Sequence, residues 1–389
     1  MELSRKARFL TGSAIREIFK YTSKPGMISF AGGNPGAFAL PNEQIALISQ
    51  ELLLRKGKEL LQYGQTPGYL PLRESVVEYV KDVFGLTVKL EEVLITTGSM
   101  QGLDLLCRTL LDPEDVVLAE SPCFLGALQA LSSSASRVLP VPCDEEGLCV
   151  DALEELMRSH RPKMLYTIPT FQNPTGTTLS DVRRKRVAEL AAKYQVLVVE
   201  DDPYRELRYQ GEPIPPIKCH DRTGSVALLG SFSKVIAPGL RVGFMVANTE
   251  LIDKCQQFKQ CMDVHTPLLN QAIVDHFLRE AMLKPHLHEI LPVYALSLQH
   301  MLDGLENISQ IESYTRPHGG LFVFASLKEG FQADSLFKTC IENGVAFVPG
   351  EPFYPEGSHT NTMRLNFSNA TPAIIDQGMH ILAQCAQQL

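Results

Sequence analysis

The stretch Val226-Ala227-Leu228-Leu229-Gly230-Ser231-Phe232-Ser233-Lys234, continued by Val235-Ile236-Ala237-Pro238-Gly239-Leu240-Arg241, governs how this chain is read. Its first four residues are apolar and make a short buried strand. A lysine just past such a strand is an odd choice unless its amine is needed there. Hydroxyls at Ser231 and Ser233 flank it, and a guanidinium follows at Arg241. The grouping suits an amine that forms a Schiff base beside a bound phosphate. For a single lysine the alternative is a surface position at a strand end. Other segments of the chain supply the rest of such a site.

On either side of this strand, from about residue 72 to 285, apolar runs alternate with amphipathic ones. The strands expected are Val93–Thr96, Val116–Ala119, Arg137–Val141, Met164–Ile168, Val196–Glu200, Val226–Leu229 and Val242–Val246. Helices are expected at Gln101–Leu111, Leu125–Leu131, Leu153–Ser159, Leu179–Tyr194 and Leu251–Val264. This alternation predicts an α/β fold around a mostly parallel sheet, with ligands at the strand carboxyl ends. Earlier in the chain, residues 12–20 carry a short helical pattern, a Gly/Pro-rich loop spans Ala31–Gly36, and a helix is expected from Asn42 to Lys58. A long helix from about Pro285 to Asn307 leads into short strands near Leu321–Ala325, Ala346–Val348 and Met363–Phe367, with helices at Ala333–Asn343 and Ile374–Gln387. The division expected is 1–45 as an N-terminal arm with part of a small domain, 46–285 as a large domain, and 286–389 as a small C-terminal domain.

At 389 residues, one large and one small domain are the natural expectation. A net charge of −8 argues against non-specific nucleic-acid binding. The nine cysteines are scattered, with no C-x-x-C pair, which reads as reduced thiols without a zinc site. Neither a secretory signal nor a membrane span is evident, so a cytoplasmic enzyme is expected.

Several strand ends carry polar residues that need a purpose. Gly98-Ser99-Met100-Gln101-Gly102 opens a helix after a strand, where free N–H groups cradle anions. Phe124, in Glu120-Ser121-Pro122-Cys123-Phe124, can stack on a flat ring or fill the core. Asn173, in Gln172-Asn173-Pro174-Thr175-Gly176, can donate to a phenolate oxygen or simply make a turn. Asp201 ends an apolar strand and can hold a pyridine nitrogen protonated, with Tyr204 near the ring oxygen. Magnesium ligation by Glu200-Asp201-Asp202 is the competing reading, although no phosphate-transfer P-loop accompanies it. Arg364, inside an apolar strand, suits a carboxylate bidentately or an internal ion pair. A cofactor with both an aldehyde and a phosphate, pyridoxal 5′-phosphate (PLP), satisfies this set.

In this order, the motifs resemble the fold-type I PLP-dependent aminotransferases of class I/II over nearly the whole chain. The resemblance implies an aspartate-aminotransferase-like fold, with a mostly parallel seven-stranded sheet in the large domain and a smaller α+β domain. It implies Lys234 as the Schiff-base lysine and Asp201 as the partner of the ring nitrogen. Asn173 and Tyr204 would bind the ring oxygen, and Ser99, Met100, Ser231, Ser233 and Arg241 the phosphate. Arg364 would clamp the substrate carboxylate, helped by backbone near Gly33. Tyr63, in Gln62-Tyr63-Gly64, matches the tyrosine that reaches a neighbouring subunit's phosphate, which implies a homodimer with shared sites. Phe124 stands where the family usually carries tyrosine, so a hydroxyl contact is lost. The stretches Ser13-Ala14-Ile15-Arg16-Glu17 and Ile28–Pro35 are most similar to the 2-aminoadipate and kynurenine aminotransferase branch. There the arginine matching Arg16 can meet a distal carboxylate or an aromatic amino acid.

The reaction implied is ping-pong transfer of an amino group from an L-amino acid of 2-aminoadipate, glutamate or aromatic type to a 2-oxo acid. A C–S β-lyase would start from the same lysine. Transcription regulators with an aminotransferase-like effector domain also resemble this branch. They need a DNA-binding helix-turn-helix, for which about 25 residues before the Gly-rich loop are too few.

Overall fold

The computed structural model describes residues 26–134 and 136–389. In chain order the first elements are β1 (Ile28–Ser29), α1 (Asn42–Leu60), α2 (Leu70–Phe84), β2 (Val93–Thr96), α3 (Ser99–Leu110), β3 (Val116–Ser121), α4 (Leu125–Ser133), β4 (Arg137–Asp144), β5 (Gly147–Leu148), α5 (Val150–His160), β6 (Met164–Thr167) and α6 (Asp181–Tyr194). There follow β7 (Leu197–Asp201), β8 (Val226–Ser231), β9 (Gly243–Val246), α7 (Thr249–Met262), α8 (Leu268–Arg279) and α9 (Leu283–Glu306). The last are β10 (Ile311–Tyr314), β11 (Phe322–Leu327), α10 (Ala333–Glu342), β12 (Val345–Ala346), β13 (Val348–Pro349), β14 (Thr362–Asn366) and α11 (Pro372–Ala386).

The large sheet runs β2-β9-β8-β7-β6-β3-β4-β5. Its centre, from β8 to β4, is parallel, while β9 runs against both neighbours. All seven expected strands are in it. The eighth, β5, is only two residues long and pairs antiparallel with β4 at the edge, too short for an apolar pattern to reveal. The strands read as unbroken apolar runs because both faces are covered. Val117, Ala119, Met164, Tyr166 and Val199 pack into the main core, while Leu118, Leu165 and Val198 between them pack into a second core under α5 and α6. That split is the two-residue period of a strand.

The smaller sheet runs β10-β11-β14-β13 and is wholly antiparallel. β1 lies parallel to β12, and Phe30 O accepts a hydrogen bond from Asn366 N, so the segment after β1 sits beside β14. A third core joins the two parts: Leu125 of α4 packs with Ala31, Phe324, Val348 and Phe353. The helical pattern at residues 12–20, with Arg16, lies outside the described residues.

Candidate active site

Five chain reversals converge where the parallel strands end, as the topology of such sheets requires. They follow β2, β3, β6, β7 and β8, and they enclose a cavity of about 270 Å³. Gly33, Ser99, Met100, Phe124, Asn173, Asp201, Tyr204, Ser231, Ser233, Lys234, Arg241 and Arg364 all line it.

Lys234 stands just past β8, and its Nζ donates to Gly33 O at 2.7 Å. Burial, then the positive charges of Arg241 and Arg364, pushes the amine down to about 8, against the pull of Asp201. An amine so placed is partly neutral near physiological pH and able to act as a nucleophile or a base.

Asp201 closes β7 and is 3% exposed. Its Oδ2 accepts the Tyr166 hydroxyl at 2.8 Å. Burial raises the carboxyl to about 6, held back mainly by the Tyr166 hydrogen bond and next by Ser99. Although Ser99 is near, Oδ1 has no hydrogen bond of good geometry from any described residue. An unsatisfied buried carboxylate oxygen, on a residue that lines a cavity, calls for a donor from a ligand.

The neighbouring acids turn elsewhere, because consecutive residues leave a strand end in different directions. Glu200 accepts from Ile217 N and Lys218 N at 2.8 and 2.9 Å, and Asp202 pairs with Arg205 at 2.7 Å. The three acids therefore do not share a metal-like centre.

Arg364, in β14, is 2% exposed. Nη1 donates to Asn173 Oδ1 at 2.9 Å and Nη2 to Ala31 O at 2.8 Å, while Nε has no partner among the described residues. The guanidinium lies 4.4 Å from the Phe322 ring centre and 5.1 Å from that of Phe353. Burial lowers it to about 10, so it stays a cation at neutral pH. Since Asn173 accepts through Oδ1, its amide N–H groups remain to donate. Tyr204 is buried beside Asn173, and burial keeps its phenol protonated far above neutral pH.

At the other end of the cavity the α3 start offers backbone donors. Ser99 and Met100 are the first residues of α3, where backbone N–H groups lack intrahelical partners and can bind an anion. Gly98 has φ +81°, and a Cβ there would stand 2.4 Å from Arg241 Nη2. That guanidinium donates to Thr97 O at 3.2 Å and to Ser233 Oγ at 3.4 Å. The Phe124 ring packs against Gly126, where a Cβ would meet its Cζ at 2.6 Å.

Tyr63 lies apart from the cavity. It is 81% exposed and meets the His265 ring edge-on at 6.1 Å. Three further residues support the site without a motif of their own. Tyr166 was signalled only by a hydroxyl inside a buried strand, which demands a partner. Glu120 is buried and accepts from Thr167 Oγ1, Ile168 N and Gln172 Nε2. Gln172 in turn accepts Thr175 N, so it fixes the turn that carries Asn173. Ile168, Pro203 and Pro238 complete the lining.

A buried amine, an under-satisfied carboxylate and a helix start meet at the strand ends of one sheet in an enzyme of the aspartate-aminotransferase-like fold. The chain belongs to the aminotransferase class I and II family, whose model matches residues 26–382. It is 42% identical to a 2-aminoadipate transaminase of Thermus thermophilus, over 98% of this chain and 95% of that protein. It is 38% identical to aromatic-amino-acid aminotransferase 1 of Thermococcus litoralis, over 99% of this chain and 94% of that protein. The structure is similar to that of a kynurenine aminotransferase of Pyrococcus horikoshii solved in complex with PMP, with a TM-score of 0.94 and 38% identity over 99% of this chain and 97% of that one. No helix among the described residues is long and apolar enough to cross a membrane.

Proposed function

We propose that this enzyme uses PLP to move an amino group from an L-amino acid of the 2-aminoadipate, glutamate or aromatic type to a 2-oxo acid, in two ping-pong half-reactions. The observation that carries the reading is the meeting of Lys234 Nζ, the unpaired Asp201 Oδ1 and the Arg364 fork in one cavity. The residues fit the cofactor at each end. Asp201 Oδ1 lacks a donor that a protonated ring nitrogen would supply, and Asn173 and Tyr204 can both donate to a ring oxygen. Ser231, Ser233, Arg241 and the start of α3 suit the phosphate.

Bound PLP supplies an aldehyde for the Lys234 amine and a ring that draws electrons from the donor's Cα. Lys234 Nζ moves the Cα proton, as base and then as acid, and its lowered proton affinity suits both roles. Asp201 holds positive charge at the ring nitrogen, and Tyr166 keeps that carboxylate aimed. Arg364 receives the α-carboxylate through two parallel N–H groups. Closing the small part over the large one would exclude water and bring Arg364 and Lys234 to the same substrate. The division into 1–45, 46–285 and 286–389 is proposed on that account. Arg16 is proposed to select the donor's distal group, and the cytoplasm, where the chain's free cysteines stay reduced, is the proposed compartment.

A homodimer with Tyr63 serving the partner's phosphate is part of the proposal. Its support is an exposed apolar stripe: Leu47, Leu54 and Leu61, seven residues apart, are 68%, 80% and 74% exposed beside Tyr63.

The test is a single-turnover assay of the PLP-loaded protein with 2-aminoadipate, glutamate, tyrosine and alanine. One 2-oxo acid per site from a member of the proposed donor class, followed by return of the amino group to 2-oxoglutarate, supports the reading. Release of pyruvate and ammonia from a cysteine conjugate, with no transfer, would assign elimination chemistry instead.

A further inference from the structure

A second polar cluster lies behind the turn that opens α3, outside the cavity. Lys259, in the last turn of α7, has a fully buried side chain. Its Nζ donates to Asp263 Oδ1 and Oδ2 at 2.9 and 3.0 Å, to Gln101 Oε1 at 2.8 Å and to Thr266 Oγ1 at 3.2 Å. Gln101 Nε2 donates back to Asp263 Oδ2 at 2.6 Å, and Thr97 N donates to Gln101 Oε1 at 2.8 Å. Thr97 Oγ1 donates to Asp263 Oδ2 at 2.9 Å and lies 3.0 Å from Thr266 Oγ1. Neither Lys259 nor Asp263 lines the cavity.

A buried ion pair adds little net stability compared with an apolar pair of similar volume. What this one holds is more telling. Thr97 and Gln101 bracket Gly98, Ser99 and Met100, the turn that opens α3 and whose Ser99 and Met100 line the cavity. The carbonyl of Thr97 also accepts Arg241 Nη2. Because there is no room for a Cβ between Gly98 and that guanidinium, a shift of the turn displaces Arg241 as well.

We propose that Lys259 and Asp263 are positioning residues for the phosphate-binding turn, acting through Thr97 and Gln101. The proposal rests on the reading that the cavity takes PLP, and it concerns only the phosphate end.

The experiment compares PLP with pyridoxal, which has the aldehyde but no phosphate, as ligands of the full chain stripped of cofactor. Binding is followed by absorbance, and inorganic phosphate is titrated as a competitor. With Lys259→Met, affinity for PLP and competition by inorganic phosphate should each fall about tenfold, while pyridoxal affinity stays within about twofold. Unchanged PLP affinity, or equal losses for PLP and pyridoxal, overturns the proposal. If Lys259→Met does not fold, Thr97→Val removes a single hydroxyl from the cluster. It should give the same phosphate-selective loss at smaller size, and wild-type PLP affinity there overturns the proposal too. If the unmodified protein binds neither aldehyde, the PLP reading fails, and this proposal with it.

Discussion

Lys234 and Asp201 face one cavity with opposite liabilities: burial disfavours the charge on each, and each partly relieves the other. Lys234→Ala should abolish transamination while the fold persists, so turnover near wild type would remove this lysine from the chemistry. A stability prediction follows from the same amine. Its folded proton affinity, about 8, is below the ordinary 10.5. Between those values the unfolded chain holds a proton that the folded one has lost, so this group makes stability rise with pH across that window. Below it, the folded protein bears the full cost of the buried charge. Lys234→Met should therefore raise the thermal midpoint of the cofactor-free protein at pH 7. The gain should shrink from about pH 8 and be gone near 10.5; a gain that is independent of pH would contradict it. From sequence, Lys234, Asp201 and Arg364 could be picked out because charge beside an apolar strand is costly and conspicuous. Tyr166 and Glu120 were harder to see, because their partners come from neighbouring strands.

At the scale of elements, the turn from β2 into α3 is where backbone conformation decides function. Gly98 has φ +81° and ψ 164°, a region essentially closed to other residues. Gly98→Ala should strain the turn and push Arg241 away. PLP affinity is expected to fall by about tenfold or more, with a drop in thermal midpoint. Equilibrium titration with PLP checks this, and unchanged affinity would mean that the turn can relax. The seven long strands could be read from sequence because burial on both faces leaves unbroken apolar runs. Helix α2 lies outside the helices expected from sequence, although Leu72, Val76, Val80 and Phe84 repeat at four-residue intervals on its buried side. β1 and β5, two residues each, carry no periodic signal and exist through their pairing partners, while the strand expected near Ala346–Val348 is split into β12 and β13, each pairing with a different strand.

For the whole molecule, the exposed Leu47, Leu54 and Leu61 stripe is the feature a single chain leaves unexplained. Leu54→Glu places a charge in its middle. Sedimentation of the wild type should give a dimer and of the variant a larger monomer fraction, with looser PLP retention if Tyr63 serves the partner's site. A wild type that is monomeric at micromolar concentration would retire the shared-site proposal.

The sequence by itself determined which chemistry is available, because an amine, acids and guanidiniums set against apolar strands are local choices with local costs. It also determined the α/β class, since strand and helix periods are written along the chain. Only the tertiary structure decided which of those groups meet. It sent Glu200 and Asp202 to other partners, left Asp201 Oδ1 without one among the described residues, and brought Arg364, which lines the cavity, against Ala31 from a distant part of the chain. Such contacts depend on sheet order and on packing between the two parts, and neither is encoded in the spacing of residues along the chain.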